Sequence, residues 1–408
     1  MIIPSIDLMS GKAVQLKQGV EKVIERDDVL ELAKYYSRFG ELAVIDLDAA
    51  VGNGDNEKLI AEICKIAPCR VGGGIRDINK AKKMLALGAK KIIIGTAANE
   101  ELLSKLPKDK VLVSIDSRDG KITTHGWTKT TSETPEDFVK RFNNLCSGFL
   151  YTIVEKEGMM EGTDIEAIKK IRSITTKELV AAGGICSVDE IVKLQKMNIN
   201  TQLGMCIYTG AVKLEDAFTN CMDFEKRFGY LPTIVQDADT MQVLMLAYST
   251  PESLKQALKT GTATYFSRSR GKIWVKGETS GNTQKLITTR FDCDMDALLF
   301  IVKQKGNACH LGRYSCFGDK NFTISELYDL LLERKNLMPE NSFTTKLFQD
   351  EFYLKRKIME EAFESVNFEQ GDGLSWEAAD LTYFMLTFMA KHDISPQDIL
   401  NNLASRTK

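Results

Sequence analysis

Two glycine-containing segments that recur about 110 residues apart restrict the fold of the first half of the chain more than any other feature. "VGGGI" at 71–75 corresponds to "AAGGI" at 181–185, and "IGTAA" and "LGMCI" follow about 20 residues after each. Short β-branched runs alternate with amphipathic helical stretches through residues 1–210. Alternating strands and helices predict a parallel sheet, and a long internal repeat predicts two equivalent halves.

Eight segments have the composition of strands, and eight strand–helix units in about 210 residues predict a closed (β/α)₈ TIM barrel. The segments are MIIPSID, LAVIDLD, CRVGG, KIIIGT, VLVSID, FLYTIV, ELVAAGG and TQLGMCI. An open doubly wound sheet is the alternative, and the repeat of two halves favours closure.

The pattern changes near "CMDFEKRFGYLP" at 221–232. Residues 233–318 contain short strand-like segments and one predicted helix at "MDALLFIVKQKG" (295–306), which is typical of a small strand-rich α+β domain. From 323 to 405 apolar residues recur at helical spacing, so this region is predicted to be all-α. The predicted domains are 1–222, 223–319 and 320–408.

Composition restricts the partners. The 408 residues are 43% hydrophobic and 27% charged, and the formal net charge of −2 provides no basic surface for nucleic acid or an anionic membrane. The sequence shows neither a charged signal region nor a bilayer-length apolar stretch, so we predict a cytoplasmic protein that acts on small molecules. The nine cysteines favour reduced thiols, some of them metal ligands, over a disulfide framework.

Two aspartates end predicted barrel strands, Asp7 the first and Asp116 the fifth. Active sites of such barrels lie at the carboxyl ends of the strands, so both carboxylates are expected at one mouth. Glycines at the ends of the third, fourth, seventh and eighth strands would let backbone amides approach two phosphates, one in each half. The alternative is that these aspartates cap turns and the glycines only permit tight loops.

Residues 1–215 resemble the histidine-biosynthesis isomerase that converts an aminoaldose ribotide to its ketose, through "IIPSIDL", "GKAVQL", "VIDLDAA", "VGGGIR", "IGTAA" and "SIDSRDGKITTHGW". The resemblance implies an Amadori rearrangement with Asp7 as the base and a functional role for Asp116. Glu157 stands where the family has an aspartate that assists ring opening, and Met205 stands where an arginine is usual. The implied substrate-binding residues are Gly73, Gly74, Gly95, Thr96, Thr152, Gly183, Gly184 and Gly204.

The segment "FDCDMDALLFIVKQKGNACHLGRYSC" at 291–316 combines hard and soft metal ligands. They are Asp292, Asp294 and Asp296, with Cys293, Cys309 and Cys316. Three carboxylates in an extended segment or turn suit Mg²⁺, and three thiolates suit Zn²⁺ with a fourth position for water. The alternatives are surface acids and buried thiols, because the spacing of 16 residues from Cys293 to Cys309 matches no short zinc-finger template.

Residues 225–318 resemble phosphoribosyl-AMP cyclohydrolase through "SRSR", "IWVKGETSGN", "DCDMDALLFIV" and "ACHLGRYSC". The resemblance implies Zn²⁺ on the three cysteines, contributed by two chains of a dimer, and Mg²⁺ on the three aspartates. It also implies that His310 transfers a proton while the purine ring opens. The implied phosphate-binding residues are Arg268, Arg270 and Lys276.

Five acids lie in otherwise apolar helical segments of the third region. They are Glu360, Glu361, Glu364, Glu377 and Asp380. Acids at this spacing would converge inside a helical bundle and require a cation, although such charges ordinarily form solvated faces. Residues 322–405 resemble phosphoribosyl-ATP pyrophosphohydrolase, which implies Mg²⁺ on these acids and release of pyrophosphate.

Taken together, the resemblances predict three consecutive steps of histidine synthesis on one homodimeric chain that pairs through its middle and helical domains. One alternative is a bifunctional cyclohydrolase and pyrophosphohydrolase with an inert barrel as scaffold. Another is a zinc-stabilised assembly module, in which a structural zinc would have four protein ligands.

Overall fold

The computed structural model describes residues 1–368 and 373–404. Eight parallel strands form the first domain: β1 (Ile2–Met9), β2 (Leu42–Asp46), β3 (Cys69–Gly72), β4 (Lys91–Ile94), β5 (Val111–Arg118), β6 (Gly148–Ile153), β7 (Glu178–Ala182) and β8 (Asn200–Leu203). Each strand pairs with its neighbour in sequence, β8 pairs with β1, and Asp116 on β5 is in register with Thr152 on β6. The predicted closed barrel is confirmed.

Helices follow the barrel strands, most of them on the outside of the barrel. They are α1 (Val29–Tyr36), α2 (Leu47–Val51), α3 (Glu57–Ile66), α4 (Ile78–Ala86), α5 (Glu100–Ser104), α6 (Pro135–Phe142), α7 (Ile165–Ile174), α8 (Val188–Lys196), α9 (Met205–Tyr208) and α10 (Leu214–Asn220). Several begin at side chains that accept a backbone N–H bond, such as Asp77 before α4 and Ser187 before α8, as helix N-caps do. A small apolar cluster that includes Ile3, Leu112 and Val180 fills the barrel interior, so the barrel is packed rather than open.

Two antiparallel additions lie at the carboxyl ends of the barrel strands. One is a hairpin of strands Lys12–Lys17 and Glu21–Arg26 that follows β1, and the other comprises strands Lys121–Thr124 and Lys129–Thr130 after β5. The eight-segment prediction did not include them. Both lie beside the barrel mouth and supply loops to it.

The middle domain contains β9 (Leu231–Asp237), β10 (Val243–Ser249), α11 (Pro251–Thr260), β11 (Thr264–Ser267), β12 (Lys272–Val275), β13 (Gln284–Phe291) and β14 (Leu298–Gln304). Its four-stranded sheet has the order β10–β9–β14–β13. The prediction of a helix at 295–306 is wrong, because β14 is a central strand, parallel to β9 and antiparallel to β13. A short apolar run that is buried on both faces looks alike in a strand and in a buried helix.

The third domain is all-α, as predicted. Its helices are α12 (Ile324–Leu337), α13 (Phe343–Gln349), α14 (Glu351–Val366), α15 (Gly373–Lys391) and α16 (Pro396–Ala404). Residues 369–372 and the last residues of the region, 405–408, lie outside the described residues. In the part of the chain that is described, no helix is both long and apolar enough to span a membrane.

The barrel and the middle domain share one hydrophobic core. The ring of Phe218 on α10 lies 6.2 Å from the ring of Phe39 and 5.5 Å from the ring of Phe291 on β13. Arg38 donates a 3.0 Å hydrogen bond to the carbonyl of Leu258 near the end of α11. Apolar contacts and a charged cap at a helix C-terminus therefore fix these two domains against each other.

Candidate active sites

The barrel mouth encloses a cavity of about 350 Å³ at the carboxyl ends of the strands. Asp7, Asp116 and Glu157 all line it, so the structure brings together the three predicted acid/base residues. Ser5 donates a 2.8 Å hydrogen bond to Asp7, and Ser114 donates a 2.9 Å bond to Asp116. The tripeptide "SID" occurs at 5–7 and at 114–116, a second sign of the repeat that the sequence analysis did not use.

Burial changes the proton affinity of all three carboxyl groups. It raises the pKa of Asp7 to about 6, and it raises the pKa of Asp116 against the opposing effect of its hydrogen bonds. The pKa of Glu157 rises to about 7 through burial and then through repulsion from the charges of Asp7 and Asp116. Near neutral pH the mouth therefore contains groups poised both to accept and to donate a proton.

The predicted glycines lie where the backbone passes unusually close to its neighbours. Gly73 has φ +94° and an added Cβ would lie 2.1 Å from the carbonyl oxygen of Asp46, whereas at Gly183, with φ +91°, it would lie 2.6 Å from that of Ile153. Only glycine fits these positions. The remaining predicted binding residues also line the cavity: Gly74, Gly95, Thr96, Thr152, Gly184 and Gly204.

The two halves of the mouth differ in charge. Arg76, which sequence reasoning missed, is the one basic side chain among the described residues that line the cavity. It follows the glycines after β3 and donates hydrogen bonds to the carbonyls of Ala49 and Ala50. The equivalent half presents Met205, which is buried and lies at the start of α9.

Loops from both antiparallel additions contact residues at the barrel mouth. The backbone N–H of Gln18, in the hairpin after β1, donates a 3.0 Å bond to the carbonyl of Glu157. An added Cβ on Gly158 would lie 2.7 Å from the carbonyl oxygen of Leu16, so the hairpin contacts the Glu157 loop directly. Trp127, from the loop after β5, lines the cavity beside Asp116 and opposes the rise of its pKa. These positioning contacts join residues far apart in sequence, which is why sequence reasoning missed them.

In the middle domain Asp292, Asp294 and Asp296 lie in a turn between β13 and β14, with ligand oxygens within 4.8 Å of one another. This convergence fits the turn that was considered for them. Lys226 contacts the carboxylates of Asp294 and Asp296, at 2.7 Å for the latter, and Arg227 also pairs with Asp296 at 3.0 Å. The oxygen set suits a hard cation such as Mg²⁺.

The three cysteines are not brought together within one chain. The thiols of Cys309 and Cys316 are close enough to alter each other's pKa, and the backbone N–H of Leu311 lowers the pKa of Cys309. Cys293 is exposed in the aspartate turn, and among the described residues neither group of three converging ligands includes a cysteine. Thiolates are suitable zinc ligands, and the arrangement supplies two of the three from one chain.

The other predicted residues of this domain have separate local contacts. The ammonium of Lys276 is 2.6 Å from the carbonyl of Ala308, and burial lowers its pKa although the neighbouring Cys316 and Cys309 oppose that effect. His310 is exposed beside Cys309. Arg268 lies over the ring of Tyr248, and Arg270 donates a 3.2 Å bond to the Ser267 hydroxyl.

Three of the five acids in the helical domain converge. Ligand oxygens of Glu361, Glu377 and Asp380 lie within 4.8 Å of one another, and Glu361 is buried. Glu364 lies beside them, and burial followed by repulsion from Glu361 and Glu377 raises its pKa. Glu360 lies outside this group and pairs with Lys357 at 3.0 Å, and Glu361 pairs with the same lysine at 2.6 Å.

Comparisons with known proteins agree with this division. Residues 1–213 match the family described as histidine biosynthesis protein, residues 245–318 match phosphoribosyl-AMP cyclohydrolase, and residues 324–407 match phosphoribosyl-ATP pyrophosphohydrolase. An imidazole-4-carboxamide isomerase of Methanosphaera stadtmanae is 36% identical over 232 residues, which are 53% of this chain and 98% of the relative. A histidine biosynthesis bifunctional protein of Pyrococcus furiosus is 41% identical over 201 residues, 46% of this chain and 96% of the relative.

A histidine biosynthesis trifunctional protein of Neurospora crassa is 33% identical over 337 residues, which are 82% of this chain but only 36% of that protein. Fold, sites and matches together define a multidomain enzyme whose first domain is a TIM barrel with a carboxylate-lined mouth. The chain belongs to the histidine biosynthesis protein family, with isomerase, cyclohydrolase and pyrophosphohydrolase domains in that order.

Proposed function

We propose that the chain catalyses three consecutive steps of histidine biosynthesis, with domain limits at 1–222, 223–319 and 320–408. The helical domain releases pyrophosphate from phosphoribosyl-ATP. The middle domain then opens the purine ring of phosphoribosyl-AMP by hydrolysis. The barrel isomerises the resulting aminoaldose ribotide to the ketose, so each domain produces the substrate of the next.

The observation that carries the isomerase assignment is the barrel mouth, where three carboxyl groups of raised pKa surround one cavity between two glycine-lined halves. Glu157, with its pKa near 7, donates a proton to the ring oxygen of the ribose as the ring opens. Asp7 removes the proton from C2 of the opened sugar, and the resulting enol tautomerises to the ketose. Backbone amides near Gly73 and Gly183 hold the two phosphates.

Carboxylates and thiolates of the other domains fit the metals that their families imply. Mg²⁺ would be held by Asp292, Asp294 and Asp296, and again by Glu361, Glu377 and Asp380, whose oxygens already converge. Zn²⁺ would be held by Cys309 and Cys316 with Cys293. When bound, these ions neutralise phosphate charge and lower the pKa of water to generate a nucleophile near neutral pH.

In the middle domain, the residues of this chain bind the substrate and move its protons. His310, exposed beside Cys309, transfers a proton to the opening ring. Arg268, Arg270 and Lys276 bind its phosphates.

A homodimer would complete the zinc site. Cys293 is exposed and lies apart from the Cys309–Cys316 pair in one chain, so a second copy supplies the missing thiolate. An apolar surface is available for that contact, because Ile234 and Leu246 are paired across β9 and β10 and are 43% and 51% exposed. Ile234→Asp should convert dimers to monomers in light scattering and reduce zinc content, whereas an unchanged mass and zinc content would reject this interface.

The barrel is tested by steady-state turnover of the purified aminoaldose. Removing a general base typically lowers the rate about 10²-fold to 10⁴-fold, so Asp7→Asn should abolish measurable isomerisation. Glu157→Asp should retain or raise the rate, because it restores the shorter side chain of the family. If wild-type turnover equals that of Asp7→Asn, the barrel is a scaffold and the chain is bifunctional.

A further inference from the structure

Residues 221–230 join the barrel to the middle domain and are called the connector here. The connector places two cations in the aspartate cluster. Lys226 and Arg227 lie on a short 3₁₀ turn, Glu225–Arg227, that follows the last barrel helix. The Lys226 ammonium contacts carboxylates of both Asp294 and Asp296, and the Arg227 side chain contacts Asp296 through two nitrogens at 3.1 and 3.0 Å. The third member, Asp292, uses an oxygen to accept the N–H of Asp296 at 3.0 Å.

The connector is also fixed to this turn through its backbone. The N–H of Asp223 donates a 2.8 Å bond to the carbonyl of Met295, which lies between the two paired aspartates and has φ +60°. The N–H of Lys226 in turn donates a 3.0 Å bond to the carboxylate of Asp223. The position of Lys226 is therefore built into the local fold and does not depend on one flexible side chain alone.

Three carboxylates with oxygens within 4.8 Å of one another repel, and a cation between them relieves that repulsion. We propose that Lys226 occupies the cation position of this cluster and that a divalent cation binds there only by displacing it. Lys226 thus sets the metal affinity of the middle domain. This inference rests on the Mg²⁺ site of the proposed function.

The carboxylate cluster of the helical domain also has a lysine beside it, on unrelated elements. The Lys357 ammonium lies 2.6 Å from Glu361, one of its three converging acids, and 3.0 Å from Glu360. Each converging acidic group is thus paired with a lysine of its own chain. In both places an ammonium group of the chain neutralises part of the carboxylate charge.

Mn²⁺ binding measured by electron paramagnetic resonance on the full-length chain tests the proposal, because Mn²⁺ accepts the same oxygen ligands as Mg²⁺. All variants carry Glu377→Gln to remove the helical-domain site, and Asp294→Asn identifies the signal of the aspartate turn. Loss of an exposed competing charge should tighten Mn²⁺ binding about twofold to fivefold in Lys226→Met. Lys226→Arg, which keeps the charge, should bind like wild type.

Lys303→Met is the matched control, since Lys303 is an exposed lysine of the same domain that pairs with Asp239 rather than with the cluster. Equal affinity in Lys226→Met and Lys303→Met would overturn the inference while leaving the metal site intact. Mn²⁺ binding in none of the proteins would reject the metal site of the proposed function itself. As a second readout, Mn²⁺ should raise the rate at which acetic anhydride modifies Lys226 but not Lys303; protection of Lys226 would contradict displacement.

Discussion

Replacing Glu157 by glutamine should stabilise the barrel at alkaline pH while it impairs catalysis. The pKa of Glu157 rises from an ordinary 4.5 to about 7 on folding, so the folded state binds a proton more tightly than the unfolded chain. Stability from this group is complete below the unfolded pKa and is lost as pH rises through the folded value. Glutamine mimics the protonated acid at every pH and avoids this loss.

The magnitude follows from the pKa difference. One pKa unit corresponds to about 1.36 kcal/mol, so full ionisation of Glu157 would cost about 3 kcal/mol. The side chain borders a cavity and is only partly exposed, and water there reduces the penalty. We therefore expect Glu157→Gln to raise the free energy of unfolding by about 2 kcal/mol at pH 8.5 and by less than about 1 kcal/mol at pH 5.

Urea unfolding followed by Trp127 fluorescence reports on the barrel, once Trp274 and Trp376 are replaced by phenylalanine. Glu161→Gln is the control, because Glu161 lies in the same loop and is exposed. If Glu157→Gln changed the free energy of unfolding equally at both pH values, or if Glu161→Gln had an equal effect, burial and repulsion could not be the cause of the raised pKa of Glu157. Isomerase turnover measured in parallel should fall, which would show that the charge that destabilises the fold serves the reaction.

Three further changes test the middle domain, the helical domain and the hairpin contact at the barrel mouth. Cys309→Ser should abolish ring opening of phosphoribosyl-AMP and leave pyrophosphate release intact; loss of both would indicate misfolding. Glu377→Gln should have the reverse effect, measured by pyrophosphate release from phosphoribosyl-ATP, and unchanged release would remove the proposed metal cluster. Gly158→Ala should lower isomerase kcat at least tenfold. Gly120→Ala should not, because Gly120 has the same φ of +70° but lies in open space. Equal effects of the two changes would mean that backbone strain, not contact with the hairpin, is responsible.

The barrel could be predicted because its signals are local. β-Branched runs such as that of β4 and paired glycines such as Gly183 and Gly184 report on strands and tight turns within a few residues. The segment 295–306 was misassigned because Leu298, Phe300 and Val302 are buried in a central strand whose intervening residues are apolar as well. Such a strand loses the alternation by which strands are recognised.

At the candidate sites, the residues that would react or bind metal could be predicted, but the residues that contact and position them could not. Asp7 and Asp116 were identified because topology brings strand ends to one mouth, whatever the loops do. Lys226 was missed because it lies 68 residues from Asp294, and no local pattern distinguishes a metal-site counter-ion from a solvated lysine. Long-range pairing of this kind requires the folded geometry.

The aromatic contacts from Phe39 through Phe218 to Phe291 have a genetic consequence. Where two enzymes are encoded separately, a missense change in one leaves the other untouched, and the mutants fall into distinct complementation groups. Here a substitution such as Phe218→Ser would open a gap on both sides of one core and impair two enzyme domains at once. A single codon could thus produce the phenotype of a double mutant, with selection on one enzyme constraining the sequence of its neighbour.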